Sequence, residues 1–129
     1  MNIFILEDDL TRIDAFITLA DVHNLTIRTS VAEARKAWKP PYDIVCLDHD
    51  LGGETFVSSE LENTGAGFVR DLVQSPKVHE MAKAYIVHSW NPDGAKLMVN
   101  LLVNAKCQAM RHEFGFDLIK KLRKMGHEL

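Results

Sequence analysis

Acidic and imidazole side chains follow three apolar runs of this 129-residue chain, at the points where the runs end. In chain order they are Glu7-Asp8-Asp9 after residues 3–6, Asp48-His49-Asp50 after residues 44–47, and His88-Ser89 after residues 85–87. If these runs are parallel strands of one sheet, the polar groups share one edge, because open α/β sheets build their sites outside the carboxyl ends of the strands. The pattern predicts a single polar site there.

Carboxylates dominate the predicted site, and we expect five of them to be metal ligands: Glu7, Asp8, Asp9, Asp48 and Asp50. Two unit charges about 4 Å apart repel by roughly 4 kcal/mol at an effective dielectric constant near 20. A cation, or raised pKa values, must relieve that repulsion. Oxygen ligands favour Mg²⁺ or Mn²⁺, and an added imidazole shifts the preference towards Mn²⁺, iron or Zn²⁺. We predict Mg²⁺ or Mn²⁺ as the cofactor.

A cation at this edge suits chemistry on a phosphate ester, because it polarises phosphoryl oxygens and orients water. We predict Asp48, His49 and His88 as catalytic residues, with His88 as an acid or base, since imidazole exchanges protons near pH 7. Ser89 and Asn91 are predicted donors to phosphate oxygens. The amides of a helix beginning near Pro92 would add an anion-binding end.

Each of these signals also has a purely structural interpretation. Residues 7–9 suit a helix N-terminus, and Asp48 suits a turn. Because successive strand side chains alternate, His49 can point away from the crevice, and only one of His88 and Ser89 need face the phosphate. Residues 64–67 resemble a phosphate loop only faintly, and a plain helix start is favoured.

The elements that must position these residues follow from hydrophobic periodicity. Apolar runs predict five strands, at 2–6, 25–29, 43–48, 84–89 and 107–111. Between and after them the spacing predicts about five helices: one with an apolar stripe of Ile13, Phe16, Ile17 and Ala20, then 31–38, one from Asn63-Thr64 to before Pro76, one from Asn91-Pro92, and 116–124.

Strict alternation of strand and helix implies right-handed crossovers and a parallel sheet covered on both faces. We therefore predict an α/β fold, a three-layer α/β/α sandwich whose five-stranded parallel sheet has the order 2-1-3-4-5, as in flavodoxin-like folds. In this order the first, third and fourth strands are neighbours, so the three polar motifs meet in one pocket. The irregular stretch 52–63 is predicted to form a mobile flap beside it.

Length and charge limit the remaining possibilities. A chain of 129 residues predicts a single domain spanning 1–129. A net charge of −3 argues against duplex DNA binding by charge. The chain contains no apolar run of about 18 residues, so we expect no membrane span and a cytoplasmic protein. Cys46 and Cys107 lie in apolar runs and are expected to stay unpaired, and His23, His79 and His127 are expected at the surface.

Several motifs resemble a known family. Ile5-Leu6-Glu7-Asp8-Asp9 and the segment 42–48, which ends in Leu47-Asp48, resemble the first strand and the phospho-accepting strand of response-regulator receiver domains. The resemblance is closer to the cyclic-phosphate-processing receiver domains, through Leu47-Asp48-His49-Asp50-Leu51-Gly52, Thr64-Gly65 and His88-Ser89-Trp90-Asn91-Pro92. It implies a receiver fold, a divalent cation, and chemistry on a phosphate ester, cyclic esters included.

The chain also departs from ordinary receivers, which carry a phosphate-pairing lysine followed by proline after the fifth strand. Here the segment reads Met110-Arg111-His112-Glu113. Arg111 is therefore the predicted replacement, although its fork differs from the point charge of a lysine. Two histidines that the signalling consensus lacks, His49 and His88, favour cleavage of a phosphodiester.

Three functions therefore remain open. The first is a metal-dependent phosphoesterase acting on a phosphorylated small molecule, nucleotide or nucleic-acid phosphate. The second is a receiver-type signalling module with Asp48 as phospho-acceptor, and the third is a degenerate binding domain that keeps the cation pocket as structure. The oligomeric state is open, and the tip near Phe114-Gly115-Phe116 is a candidate dimer contact by the same resemblance.

Overall fold

A computed structural model describes residues 1–52 and 58–127 of the chain. Five strands alternate with five helices: β1 (Asn2–Leu6), α1 (Leu10–Ile17), β2 (Asn24–Arg28), α2 (Val31–Ala37), β3 (Tyr42–Leu47), α3 (Gly65–Leu72), β4 (Ala82–Val87), α4 (Pro92–Asn104), β5 (Ala109–Arg111) and α5 (Phe116–His127). All strand pairs are parallel, and the sheet order is β2-β1-β3-β4-β5. The predicted fold class and strand order are confirmed.

Two apolar layers cover the sheet. One face packs against α2, α3 and α4 around Phe4, Leu47 and Phe68. The other packs against α1 and α5 around Ile5, Cys46 and their neighbours. Alternate residues of each strand therefore belong to opposite layers, as the two-residue period of a strand requires.

Capping residues begin the helices where the sequence indicates. Asp9 accepts from the Arg12 N–H at the start of α1, and Thr64 accepts from the Gly67 N–H at the start of α3. Asn91 caps α4 through the Gly94 N–H, with Pro92 in its first turn. Residues 64–67 thus form the plain helix start that we favoured.

The predicted stripe on the first helix is wrong at two positions. Phe16 is buried, but Ile17 is 51% exposed and Ala20 is also exposed. For Ala20 the cause is a 3₁₀ turn at Thr18–Asp21, which follows α1 and turns Leu19 inward instead. A 3₁₀ turn has three residues per turn, so the 3.6-residue phase of the stripe is lost.

The expectation for His23 is also wrong, because its side chain is buried. His23 Nε2 lies 2.7 Å from the carbonyl oxygen of Leu122 in α5. His79 is exposed as expected, whereas the side chain of His127 lies outside the described part of the chain. Cys46 and Cys107 are buried free thiols, and burial raises the pKa of Cys46 to about 12.

Residues 53–57 of the predicted flap lie outside the described residues. The part that is described, 58–63, is anchored to α3. Arg70 donates to the carbonyl oxygens of Ser59 and Leu61, at 2.6 and 3.5 Å, and Thr64 Oγ1 donates to the Leu61 carbonyl. Within residues 1–52 and 58–127, no helix is long and apolar enough to cross a bilayer.

Candidate metal centre and adjoining polar cluster

Strand register places three polar residues at one level of the sheet. Leu6 pairs with Leu47, and Leu47 pairs with Val87. The residues that follow them, Glu7, Asp48 and His88, are therefore neighbours across β1, β3 and β4, and we call them the acidic row. The backbone N–H of Asp48 donates to the Leu6 carbonyl oxygen, and the backbone N–H of His88 donates to the Leu47 carbonyl oxygen, each at 3.0 Å.

The acidic row is buried and compact. Glu7, Asp48 and His88 each offer one ligand atom, and these atoms lie within 4.8 Å of one another. Glu7 and His88 are fully buried, and Asp48 is 4% exposed. His88 Nε2 lies 3.1 Å from Glu7 Oε1, while the buried Nδ1 has no hydrogen-bond partner among the described residues.

Burial and electrostatic interactions shift the pKa values of the two carboxyl groups of the acidic row in opposite directions. Burial raises the pKa of Asp48, and the charge of Glu7 raises it further, to about 8. Burial also acts to raise the pKa of Glu7, but hydrogen bonding to His88 and its charge outweigh burial, so the net shift is downward. Asp48 therefore holds a proton near neutral pH and Glu7 remains ionised.

The guanidinium of Arg12 reaches both carboxyl groups. Arg12 Nη1 lies 3.4 Å from Glu7 Oε1 and 3.9 Å from Asp48 Oδ1. Its guanidinium carbon also lies 4.5 Å from the centre of the Trp90 ring and 5.1 Å from that of Phe114. Nothing in the sequence pattern singled out Arg12, because it lies on a helix face rather than at a strand end.

A second polar cluster lies on the other side of β3. His49 Nδ1 lies 2.8 Å from Asp50 Oδ1, and His49 Nε2 lies 2.9 Å from Ser59 Oγ. Asn91 Nδ2 donates to Asp50 Oδ1 at 3.1 Å. We call these four residues the His49 cluster. Because an Asp50 carboxylate accepts the Nδ1–H, the Nε2 lone pair is left to accept from Ser59.

Two close approaches form the floor of the His49 cluster. The Gly65 N–H donates to the His49 carbonyl oxygen, and a Cβ at Gly65 would lie 2.0 Å from the Asp48 carbonyl oxygen. A Cβ at Gly94 would lie 2.5 Å from the His49 ring. Glycine is therefore required at both positions, where α3 and α4 begin. Close packing thus explains the glycine of the Thr64-Gly65 motif.

Of the three predicted phosphate ligands, Asn91 belongs to the His49 cluster, and Ser89 and Arg111 adjoin it. Ser89 is fully buried, and its Oγ accepts from the Asn91 N–H at 3.0 Å. Asn91 Oδ1 caps α4. Arg111 donates through Nε and Nη2 to the Ser89 carbonyl oxygen, at 3.3 and 3.2 Å, and Nη2 lies 3.4 Å from Glu113.

The remaining predicted metal ligands lie outside the acidic row. Asp9 is exposed and caps α1, and Asp8 is half-buried with its N–H bonded to Glu7 Oε2 at 3.0 Å. Asp50 belongs to the His49 cluster. The structure thus brings together Glu7, Asp48 and His88, and separately His49, Asp50 and Asn91.

Register also identifies a residue that sequence reasoning missed. Arg111 pairs with Val87, so the residues that come next in each chain segment, His112 and His88, lie at the same level of the sheet. The His112 N–H donates to the Val87 carbonyl oxygen at 3.0 Å. Apolar periodicity cannot determine the register of a strand of three residues, so the sequence did not indicate where His112 lies.

The family model described as "Cyclic-phosphate processing Receiver domain" matches residues 1–104. The chain belongs to this family. A comparison with curated protein sequences finds no match for this receiver domain.

Solved structures show the same fold for this receiver domain. The Mn²⁺-bound form of response regulator Rcp1 superposes with a TM-score of 0.61 at 18% identity, covering 96% of this chain and 90% of that one. A response regulator from Colwellia psychrerythraea gives 0.69 at 15% identity, with 99% and 98% covered. A two-component response regulator from Legionella pneumophila gives 0.62 at 13% identity, with 100% and 99% covered.

Proposed function

We propose that this receiver domain is a divalent-metal-dependent phosphodiesterase that hydrolyses a cyclic phosphate ester. The observation that carries the proposal is the acidic row, in which Glu7, Asp48 and His88 offer three buried ligand atoms within 4.8 Å. The family description supports the substrate class. A phosphorylated small molecule or a nucleotide with a cyclic phosphate is the proposed substrate.

The donor set fits a divalent cation. Two carboxylates and one imidazole favour Mn²⁺ over Mg²⁺, because Mg²⁺ prefers oxygen ligands alone. The similar fold of response regulator Rcp1, which was solved in a Mn²⁺-bound form, agrees with this preference. The cation would supply polarisation of the phosphoryl oxygens and activation of a water molecule.

The residues proposed to bind the cation and the residue proposed to transfer a proton lie on opposite sides of β3. Glu7, Asp48 and His88 would hold the cation, and ligation by Asp48 would require loss of the proton that burial stabilises. His49 is the proposed acid or base, because Asp50 orients its ring and its Nε2 points to the Ser59 hydroxyl. Ser89, Asn91 and Arg111 form the adjoining wall.

Metal binding tests the first half of the proposal. Isothermal titration calorimetry with Mn²⁺ should show one site at pH 7.5, with a proton released as Asp48 ionises. Asp48→Asn, Glu7→Gln and His88→Ala should each weaken binding at least tenfold. Asp9→Asn is the matched control, because it changes a neighbouring carboxylate that caps α1 and should leave the affinity unchanged.

Hydrolysis of a 2',3'-cyclic nucleotide and of bis(p-nitrophenyl) phosphate tests the second half. Activity should require Mn²⁺, stop with EDTA, and fall strongly in Asp48→Asn and His49→Ala. Activity that survives EDTA would contradict the proposal.

Aspartyl phosphorylation is the second candidate, supported by the fold and by the position of Asp48 at the end of β3. The raised pKa of Asp48 opposes it in the metal-free protein, because a protonated carboxyl is a poor nucleophile. Incubation with acetyl phosphate and Mg²⁺ separates the two. A stable phosphoryl adduct on the intact protein that is lost in Asp48→Asn would favour signalling. Stabilisation by the cation without adduct or turnover would favour the binding domain.

A further inference from the structure

Arg12 is the positive charge that balances the acidic row. Its Nη1 atom lies 3.4 Å from Glu7 and 3.9 Å from Asp48, and its side chain is only 17% exposed. A guanidinium that far from solvent is held by its partners. When a divalent cation binds the same carboxylates, the guanidinium loses its partners and is repelled by the new charge.

Two aromatic rings hold Arg12 independently of the carboxylates. The guanidinium lies over Trp90 and Phe114, at 4.5 and 5.1 Å from the ring centres. Trp90 Nε1 donates to the Phe114 carbonyl oxygen at 2.9 Å, which fixes the orientation of the indole although the residue is 58% exposed. Cation–π attraction to these rings persists after the carboxylates are taken.

We propose that Arg12 is the phosphate-binding residue of this site, serving as counter-ion of the acidic row without metal and as phosphate ligand with metal. This inference rests on the proposed function. A guanidinium displaced from the carboxylates but kept on the rings lies at the rim of the metal centre. Its planar fork of donors matches two oxygens of a phosphate group. Arg111 is less available, because two of its donors bond the Ser89 carbonyl.

This exchange predicts opposite effects of one substitution. In Arg12→Gln, Mn²⁺ alone should bind several-fold more tightly, because no resident cation competes for the carboxylates. Inorganic phosphate should bind the Mn²⁺-loaded variant about tenfold more weakly than it binds the Mn²⁺-loaded native protein, because a charged bidentate donor is lost. Calorimetry measures both affinities.

Two further variants make the comparison specific. Arg12→Lys keeps a charge but loses the fork, so Mn²⁺ affinity should stay near the native value while phosphate affinity falls. Arg35→Gln is the matched control, because Arg35 forms an exposed ion pair with Asp71 away from the site. Both affinities should be unchanged in that variant.

Trp90 reports the movement directly. Titration with Mg²⁺, which does not quench paramagnetically, should change tryptophan emission as the guanidinium moves off the carboxylates and shifts its position over the indole. The change should be absent in Arg12→Gln and in Trp90→Phe, which leaves Trp38 as the remaining tryptophan.

The outcomes separate this inference from the proposed function. Native protein that fails to bind Mn²⁺ contradicts the proposed function. Native protein that binds Mn²⁺, with an Arg12→Gln variant whose phosphate affinity is unchanged or whose Mn²⁺ affinity is lowered, overturns the inference alone. An increase in Mn²⁺ affinity together with a loss of phosphate affinity supports it.

Discussion

Asp48 and His49 are adjacent in sequence, but their side chains lie on opposite sides of the sheet. Asp48 lies with Glu7 and Arg12 on the side of α1, whereas His49 lies against Gly94 of α4. The end of β3 thus supplies two different environments one residue apart. The proposed cation chemistry and the proposed proton transfer can therefore be perturbed separately.

Substitution of Gly94 should affect only the His49 side. A Cβ in Gly94→Ala would lie 2.5 Å from the His49 ring, so the ring must move away from Asp50 and Ser59. We expect a loss of proposed phosphodiesterase activity of tenfold or more, with Mn²⁺ affinity within threefold of native. Gly115→Ala is the control, because its Cβ would meet no described atom within 4 Å. Equal loss of metal binding and activity in Gly94→Ala would contradict the separation.

The pH dependence of stability should report the Asp48 proton. The pKa of this carboxyl is raised from 3.8 to about 8, so between these values the folded chain binds the proton that the unfolded chain releases. The free energy of unfolding should therefore fall as pH rises from 5 to 8, by on the order of 1–3 kcal/mol. Urea unfolding of the metal-free protein at several pH values measures this slope.

Asp48→Asn is the matched variant for that experiment, because an amide does not titrate and cannot repel Glu7. Its free energy of unfolding should decline less over the same pH range.

Mn²⁺ at 100 times its Kd should add about 2.7 kcal/mol to the free energy of unfolding of the native protein at pH 8. A native protein whose stability rises between pH 5 and 8 to the same extent as the variant would disprove the assignment.

Asp9 should contribute to the free energy of unfolding and not to the affinity for Mn²⁺. Its carboxylate accepts from the Arg12 N–H at 3.0 Å, so Asp9→Ala removes the cap of α1 and should cost about 1 kcal/mol. Asp9→Asn keeps a capping oxygen and should cost less. Chemical unfolding gives the first quantity and calorimetry with Mn²⁺ the second. Weakened metal binding in Asp9→Asn would place Asp9 among the ligands after all.

His23 should be a structural residue of the last helix. Its Nε2 contacts the Leu122 carbonyl at 2.7 Å in a buried position, so His23→Ala should lower the free energy of unfolding by about 1–3 kcal/mol. His79→Ala, at an exposed position, should change it by less than about 0.5 kcal/mol. Comparable effects of the two substitutions in urea unfolding would be evidence against the contact.

Much of this fold was accessible from the sequence, because each strand is a short apolar run and each helix has a capping or breaking residue beside it. The strand order followed from the strand–helix alternation together with the order that is usual for five such units. The corrections have one local and one long-range cause. A 3₁₀ turn changed the helical phase after Ile17, and a contact with α5 buried His23.

The site was only partly accessible for a related reason. Strand ends identified Glu7, Asp48 and His88, since three runs end together at one edge. Arg12 and Ser59 lie on a helix and in a turn, and they reach the two clusters only through tertiary packing. His112 depends on the register of β5, and no local pattern encodes register there.

The shared level of Glu7, Asp48 and His88 across three strands also links the centre to correct assembly of the sheet. A strand shifted by one residue presents every side chain to the opposite face. A misaligned β1 or β4 would therefore turn its ligand away while still offering an apolar run to its neighbours. An ion that binds at this centre would therefore stabilise the correctly aligned sheet relative to sheets with a shifted strand.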